Sequence, residues 1–198
     1  TVMKLGHISD LHIFAYEQSS PRRFLNKRIV GGTNILLNRS KSHSPLVVQA
    51  ALDMLDSFEV DHIAITGDLT NLALEEEFRA AANVIAGITG AEERVSVVPG
   101  NHDYYVPEIQ ESGTFERHFE QYQRSDLPSY QLENGYPFCK FLGDDIALIG
   151  LNTGIASPPM FAVGKVDARE LRSLEQMLDD PKLRDRYKIV MLHHPLLP

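Results

Sequence analysis

The sequence predicts an α/β domain with a largely parallel central sheet. Short apolar segments typical of strands alternate with longer segments whose apolar residues recur at helical spacing. A polar cluster directly follows four of the predicted strands. The chain has 198 residues, of which 43% are hydrophobic and 23% are charged, so its length and composition are those of one globular domain.

The first two predicted elements are a strand and a helix. Residues 3–8 form a short apolar run that predicts a strand. Ser44 and Pro45 are residue types favoured at the N-cap and in the first turn of a helix. We therefore predict a helix that begins there. Its inward-facing residues would be Val48, Leu52 and Leu55.

The order of strand and helix then repeats. Residues 62–66 predict a second strand, residues 75–88 a second helix and residues 94–98 a third strand. This alternation favours a parallel sheet. The apolar residues expected to face inward from the second helix are Phe78, Ala81, Ala82 and Ile85.

The last third of the chain adds antiparallel character. Two β-rich runs within residues 138–151 flank the turn sequence Gly143-Asp144-Asp145 and predict a hairpin. Residues 167–178 predict a further helix, and residues 188–192 predict the last strand. The helix carries three leucines at helical spacing, Leu171, Leu174 and Leu178.

Charge and cysteine content argue against several classes of protein. A formal net charge of −8 disfavours a generic nucleic-acid partner, because such proteins carry a positive field. The single Cys139 can form neither an internal disulfide nor a cysteine-rich zinc site. No apolar run approaches the roughly 18 residues that span a bilayer, and residues 1–10 lack the apolar stretch of a signal peptide. We therefore expect a cytoplasmic protein.

Residues 18–52 form a basic segment in an acidic chain. They contain no acid and contribute +6, which leaves −14 for the other residues. Apolar residues alternate with the charges, but Gly31 and Gly32 would interrupt a helix. Two interpretations stay open: a solvated excursion packed on the domain, or a lid or contact surface for an anionic substrate or headgroup. The six cations are Arg22, Arg23, Lys27, Arg28, Arg39 and Lys41.

The polar clusters stand at the carboxyl ends of predicted strands. Ligands of open α/β sheets bind outside these ends, so the clusters are expected to converge at one edge. They are Ser9-Asp10-Leu11-His12, Gly67-Asp68, Gly100-Asn101-His102-Asp103 and His193-His194-Pro195.

Spacing within the clusters fits metal ligands. In an extended segment, side chains two residues apart point the same way, so Asp10 and His12 can reach one ion while Leu11 faces the core. Asn101 and His102 are neighbours and should point apart, so we expect one to be a ligand and the other a reagent. Oxygen and imidazole donors without thiolate suit Mn, Fe, Zn or Co.

In this order and spacing, the four clusters resemble the calcineurin-like metallophosphoesterase family, whose most specific motif here is Gly-Asn-His-Asp. The strings Asp-Leu-His, Gly-Asp-Leu-Thr-Asn and Gly-Asn-His-Asp further resemble its cyclic-nucleotide phosphodiesterase-like branch. The resemblance implies a fold of two facing mixed β-sheets flanked by helices, which agrees with the alternation of strands and helices.

The resemblance also implies roles for the residues that match the family's motifs. It implies two divalent or mixed-valence metal ions, with Mn, Fe or Zn as the metals, which lower the pKa of a water molecule and bind phosphoryl oxygens. His102 would be the general acid that protonates the leaving oxygen, and Asp103 would hold its ring in orientation. The implied ligands are Asp10 and His12 for the first ion, Asp68 for both, and Asn101 and His193 for the second.

One motif of the family is missing. The family closes its site with Gly-His-x-His on a later strand, and nothing resembling it occurs before Pro198. We therefore expect residues 1–198 to be a single metallophosphoesterase domain that is truncated before its last metal-binding motif and lacks its C-terminal part. Full activity is not expected of these residues alone.

The function implied by the resemblance is hydrolysis of a phosphodiester or phosphoanhydride in a small phosphorylated substrate. Two alternatives remain. The basic segment suits a lipid-linked diphosphate of the UDP-diacylglucosamine type, with residues 22–41 contacting anionic lipid. Some members of the family have lost ligands and serve as non-catalytic scaffolds. Every ligand position present here keeps its chemistry, which favours the enzyme.

Overall fold

The structure, a computed structural model, describes residues 2–13, 15, 45–156 and 163–196. Most of the basic segment, residues 18–44, lies outside the described residues. The interpretations of that segment, the predicted lipid contact of residues 22–41 and the predicted cap at Ser44 therefore remain predictions.

A first sheet contains three parallel strands, β1 (Leu5–Ile8), β2 (His62–Thr66) and β3 (Val95–Val98), in that spatial order. Helix α1 (Pro45–Ser57) lies between β1 and β2 in the chain, and α2 (Glu75–Ala86) lies between β2 and β3. Parallel neighbours require such crossover connections. All five predicted elements are confirmed, with small differences at their ends.

A second sheet contains β4 (Phe138–Leu142), β5 (Ile146–Gly150) and β6 (Tyr187–Met191). Strands β4 and β5 form the predicted antiparallel hairpin, whereas β6 pairs in parallel with β5. Helix α6 (Ala168–Leu178) precedes β6 and provides the crossover. Buried residues of β4 lie on both of its faces, so this hairpin needs a packed layer on each side.

The two sheets face each other across a shared core. The predicted parallel sheet is the first sheet, and the hairpin recruits β6 into a second sheet instead of extending the first. The expected arrangement of two facing sheets flanked by helices is confirmed. Core residues contributed by the strands of both sheets include Ala64, Val98, Phe138, Leu148 and Met191.

Helices cover the outer faces of both sheets. The apolar residues of α1 and α2 pack on the first sheet, and Met177 of α6 packs on the second.

None of the helices in the described ranges is long and apolar enough to cross a membrane. The shorter helices are α3 (Ala91–Arg94), α4 (Pro107–Ser112), α5 (Thr114–Phe119) and the 3-10 turns Glu120–Tyr122, Pro128–Tyr130 and Pro181–Leu183.

Only one of the three leucines of helix α6 packs on the core as predicted: Leu174 is partly buried against the second sheet. Leu171 and Leu178 are 44% and 42% exposed, while Glu170, Ser173 and Met177 are buried. The polar residues face inward because they satisfy backbone groups of the neighbouring loops. The Glu170 carboxylate accepts the N–H of residue 152 at 2.8 Å, and the Ser173 hydroxyl donates to the carbonyl of residue 130.

His62 is buried between the two sheets. Its Nε2 lies 2.9 Å from the hydroxyl oxygen of Ser96, and the side chain is almost inaccessible to water. Burial, assisted by the cation of Lys140, lowers the pKa of His62 from 6.5 to about 3. The folded protein therefore keeps this ring neutral at pH values where the unfolded chain protonates it.

We predict that His62 makes the fold less stable as the pH falls below about 6.5, since only the unfolded chain then binds the proton. The loss should be about 1.4 kcal/mol per pH unit, or roughly 2 kcal/mol at pH 5. His62→Gln keeps a hydrogen-bonding group beside Ser96 but does not titrate, so it should remove this contribution. Urea unfolding at pH 7.5 and pH 5.0 measures the difference.

His7→Gln is the matched control, because His7 is exposed on β1. The change in pH dependence that His62→Gln causes should exceed the change that His7→Gln causes. The same pH dependence in His62→Gln and wild type would contradict the burial account.

Candidate metal centre

The segment after β1 runs beside the turn after β2. The N–H groups of Asp10, His12 and Ile13 donate to the carbonyl oxygens of residues 67–69 at 3.0, 2.9 and 2.8 Å. Asp10 and His12 have φ angles of 58° and 44°, so this segment is not the extended strand that their spacing predicts. The two side chains still meet, because His12 Nε2 lies 3.6 Å from Asp10 Oδ1. The hydrogen bonds to residues 67–69 hold this left-handed backbone.

Asp68 lies at the centre of the candidate site. It follows β2 with a φ angle of 53° and is only 4% exposed. Its Oδ2 lies 3.8 Å from His12 Nε2 and 3.6 Å from His193 Nε2. Its Oδ1 accepts the N–H of His102 at 2.8 Å. A Cβ at Gly100 would lie 2.1 Å from that Oδ1, so the turn after β3 approaches Asp68 only because this residue is glycine.

Backbone carbonyl groups orient two of the imidazoles. His193 Nδ1 lies 2.7 Å from the carbonyl oxygen of Thr66, and His12 Nδ1 lies 3.3 Å from that of Thr70. A carbonyl oxygen can only accept, so Nδ1 carries the hydrogen in both rings. Each Nε2 therefore lies on the side of Asp68 as a possible ligand atom for a metal ion.

The possible ligand atoms form two groups that share Asp68. His12, Asp68 and His102 make up one group, and Asp10, Asp68 and His193 make up the other, with the atoms of each within 4.8 Å of one another. The resemblance paired Asp10 with His12, whereas this grouping places Asp10 with His193.

Asn101 stands at the first position of the turn 101–104 that follows β3. It is partly buried and directly precedes His102, whose backbone N–H binds Asp68. The turn therefore brings Asn101 to the edge where the other residues meet. Its role as a ligand remains a prediction.

Asp103 does not have the contacts that its expected role requires. It was expected to hold the His102 ring, but its buried carboxylate accepts hydrogen bonds from the backbone of the two turns. Oδ1 accepts the N–H and the hydroxyl of Thr70, both at 3.0 Å, and Oδ2 accepts the N–H groups of Gly100 and Leu69 at 3.0 and 3.3 Å. Asp103 thus joins the turn after β2 to the turn after β3.

The ring of His102 is oriented by Asn71 instead. His102 Nδ1 lies 2.7 Å from the carbonyl oxygen of Asn71, and the Asn71 side-chain amide donates to the carbonyl oxygen of His12 at 2.6 Å. The rings of His102 and His12 meet edge to face with centroids 4.8 Å apart. Asn71 therefore connects the proposed acid to a proposed ligand.

Sequence patterns did not identify Asn71 or the two carbonyl groups that orient His12 and His193. A backbone carbonyl carries no residue-specific signal. Asn71 is part of the Gly-Asp-Leu-Thr-Asn string, but its contact with His12 depends on a residue far away in the chain.

Burial raises the pKa values of Asp68 and Asp103. Loss of hydration is the main cause for both carboxyls. The charge of Asp10 raises the pKa of Asp68 further, and the charge of Asp68 does the same for Asp103. His193 and the backbone N–H of His102 offset part of the shift at Asp68. The protein thus concentrates negative charge where water is scarce, and a bound cation would relieve the repulsion.

The donor set fits a divalent metal. The carboxylates of Asp10 and Asp68 and the Nε2 atoms of His12 and His193 lie at the ends of strands from both sheets. Carboxylate oxygen with imidazole nitrogen suits Mn, Fe or Zn. The hydrogen-bonded Nδ1 atoms provide the outer support that metal-binding histidines generally have.

Fold and site together define a metal-binding protein of the α/β class with two facing sheets. The family model for calcineurin-like phosphoesterases matches residues 3–197, so the chain belongs to this family. Its members are metal-dependent phosphoric ester hydrolases, and some are inactive. The resemblance found in the sequence is therefore confirmed for the family.

One solved structure that is similar to the chain is that of TT1561 of Thermus thermophilus. The two are 15% identical, the match covers 100% of this chain and 72% of that chain, and the TM-score is 0.49. No curated protein matches the chain.

We predict that Asp103→Asn destabilises the metal-free protein by about 2–4 kcal/mol. The amide has the shape of the carboxylate but turns an NH₂ group towards two buried donors, each of which costs about 1–3 kcal/mol when unpaired. Asparagine also carries no buried charge beside Asp68, which offsets part of that cost. Urea unfolding in EDTA measures the change. Asp144→Asn, at an exposed turn position, is the control and should be neutral.

The alternative role for Asp103 gives a different result. If Asp103 acted mainly by orienting His102, Asp103→Asn would lose activity at nearly wild-type stability. That outcome would contradict the role of Asp103 in joining the two turns.

Proposed function

We propose that the protein is a phosphoesterase that hydrolyses a phosphodiester or phosphoanhydride with two divalent metal ions. The observation that carries this proposal is the position of Asp68, which belongs to both groups of possible ligand atoms. A dinuclear centre needs a ligand that both ions can share. Asp68 meets this need because it is buried and hydrogen-bonded at Oδ1, and its Oδ2 lies near imidazoles from both sheets.

The bound ions would stabilise the charge on the phosphoryl oxygens and lower the pKa of the attacking water. Oxygen and imidazole donors suit Mn, Fe or Zn, and Mn is the first choice for experiments. The residues proposed to hold the two ions are Asp10, His12, Asp68, Asn101 and His193.

We assign His102 as the general acid and not as a ligand, although it belongs to one of the two groups of possible ligand atoms. Its Nδ1–H donates to the carbonyl oxygen of Asn71 at 2.7 Å, which leaves Nε2 as the atom that carries a proton to the leaving oxygen. His102 is partly buried and lies beside His12, so a substrate held by the ions would come within its reach. A positioned general acid typically contributes about 10²–10⁴-fold to the rate.

The proposed substrate is a small phosphorylated compound, and the motif strings favour the diesters of the cyclic-nucleotide phosphodiesterase-like branch. A protein with a net charge of −8 repels such an anion, so the bound ions must also provide its attraction. The proposed compartment is the cytoplasm, where the buried thiol of Cys139 remains reduced.

Hydrolysis of bis(p-nitrophenyl) phosphate by the intact protein with added Mn²⁺ tests the activity. Asp68→Asn should lower kcat/KM by at least about 100-fold, because it removes the shared charge between the ions. Asp144→Asn is the matched control and should retain wild-type turnover. Wild-type protein without metal-dependent turnover would support the inactive scaffold and contradict the proposal.

His102→Gln tests the acid specifically. The nitrophenolate of the model substrate leaves readily without a proton, whereas an alkoxide, the leaving group of a 3′,5′-cyclic nucleotide, needs one. We therefore expect His102→Gln to lower kcat roughly 10²–10⁴-fold with the cyclic nucleotide as substrate and much less with the model diester. Equal losses on the two substrates would contradict the assignment of His102.

A further inference from the structure

The candidate site combines residues from two sheets. Asp10, His12 and Asp68 follow strands of the first sheet, whereas His193 follows β6 of the second sheet. The position of His193 therefore depends on how the ends of the second sheet are held against the first. One direct contact is the bond from His193 Nδ1–H to the carbonyl oxygen of Thr66 at the end of β2, 2.7 Å long.

The next residue, His194, is fixed to the end of β5. Its backbone N–H donates to Thr153 Oγ1 at 3.3 Å, and its Nδ1 lies 2.9 Å from the same oxygen. The carbonyl oxygen of Thr153 in turn accepts the N–H of Lys165 at 3.0 Å. One threonine thus connects the residues after β5, the residues after β6 and the segment that leads into α6.

Gly164 closes the other side of the His194 ring. A Cβ at this position would lie 2.3 Å from Cγ and 2.4 Å from Nδ1 of His194. On the His193 side, the two imidazoles meet edge to face, with centroids 4.8 Å apart and planes at 87°. The His194 ring is therefore held between Gly164, Thr153 and His193.

His194 is suited to support and not to direct ligation. It is only 9% exposed, and its Nε2 has neither solvent exposure nor a hydrogen-bond partner in the described part of the chain. The backbone N–H and the ring Nδ1 both contact Thr153 Oγ1, and these two contacts hold the ring in one position.

We propose that Thr153, His194 and Gly164 form a clamp that positions His193 for the second metal ion. The inference rests on the proposed dinuclear function. Thr153 and Gly164 are positioning residues, since they act through His194 on His193 and have no part in the chemistry. Residues that orient metal ligands from outside commonly contribute about 10–100-fold to metal affinity.

Calorimetric titration of the intact protein with Mn²⁺ tests the clamp. Thr153→Val keeps the shape of the side chain but removes both contacts of the hydroxyl. We expect it to lower the affinity for one of the two Mn²⁺ ions by about 10–100-fold and to leave the affinity for the other nearly unchanged. Thr153→Ser retains the hydroxyl and should restore affinity to within a few-fold of wild type. His193→Ala identifies the affected ion, because it should lower the affinity for the same ion as Thr153→Val does.

Two further variants complete the design. Thr89→Val is the matched control, since Thr89 is exposed after α2, and it should bind both ions like the wild type. Gly164→Ala disturbs the clamp from the opposite side and should weaken the same ion as Thr153→Val. Because it removes no hydrogen bond, it still tests the clamp if Thr153→Val does not fold, as judged by circular dichroism.

The outcomes separate this inference from the proposed function. Wild-type protein that binds no Mn²⁺ would overturn both. Two ions bound by the wild type, with unchanged affinities in Thr153→Val and Gly164→Ala, would overturn the clamp alone. An equal loss of affinity for both ions would also overturn the clamp, because general destabilisation of the protein would then explain the loss. Selective weakening that Thr153→Ser restores would support the clamp.

Discussion

The Asp68 carboxylate is withdrawn from water beside two other acids, and the surrounding structure compensates for that charge. The charge of Asp10 raises the pKa of Asp68, and the charge of Asp68 raises the pKa of Asp103. The N–H of His102 and the imidazole of His193 offset part of the repulsion. A cation would offset more of it, which is why a buried acidic cluster favours metal binding.

The need to compensate the buried charge of Asp68 explains the close packing of the turns around the site. Asp103 accepts hydrogen bonds from both the turn after β2 and the turn after β3, and Gly100 lets those turns touch. Asn71 ties the same region to the segment after β1. The second sheet adds His193, whose Nδ1–H reaches the end of β2. Stability and ligand geometry therefore depend on the same hydrogen bonds.

The sequence predicts which residues come together at the site, but not the backbone conformation and hydrogen bonds that hold them there. Apolar periodicity and the polar clusters identify the strand ends, because both are local patterns. The left-handed backbone at Asp10 and His12 depends on carbonyl groups of residues 67–69, which local spacing cannot reveal. The contacts of Asp103 likewise come from a turn far away in the chain. On α6, Glu170 faces inward because it satisfies a backbone N–H after β5, an effect that outweighs the leucine pattern.

Anomalous diffraction from crystals of the intact protein grown with Mn²⁺ tests the central claim most directly. The account predicts two anomalous peaks about 3.5–4 Å apart, with the Asp68 carboxylate between them. One peak should lie against His193 Nε2 and the other against His12 Nε2. A single peak, or two peaks that do not share Asp68, would contradict the proposed dinuclear centre.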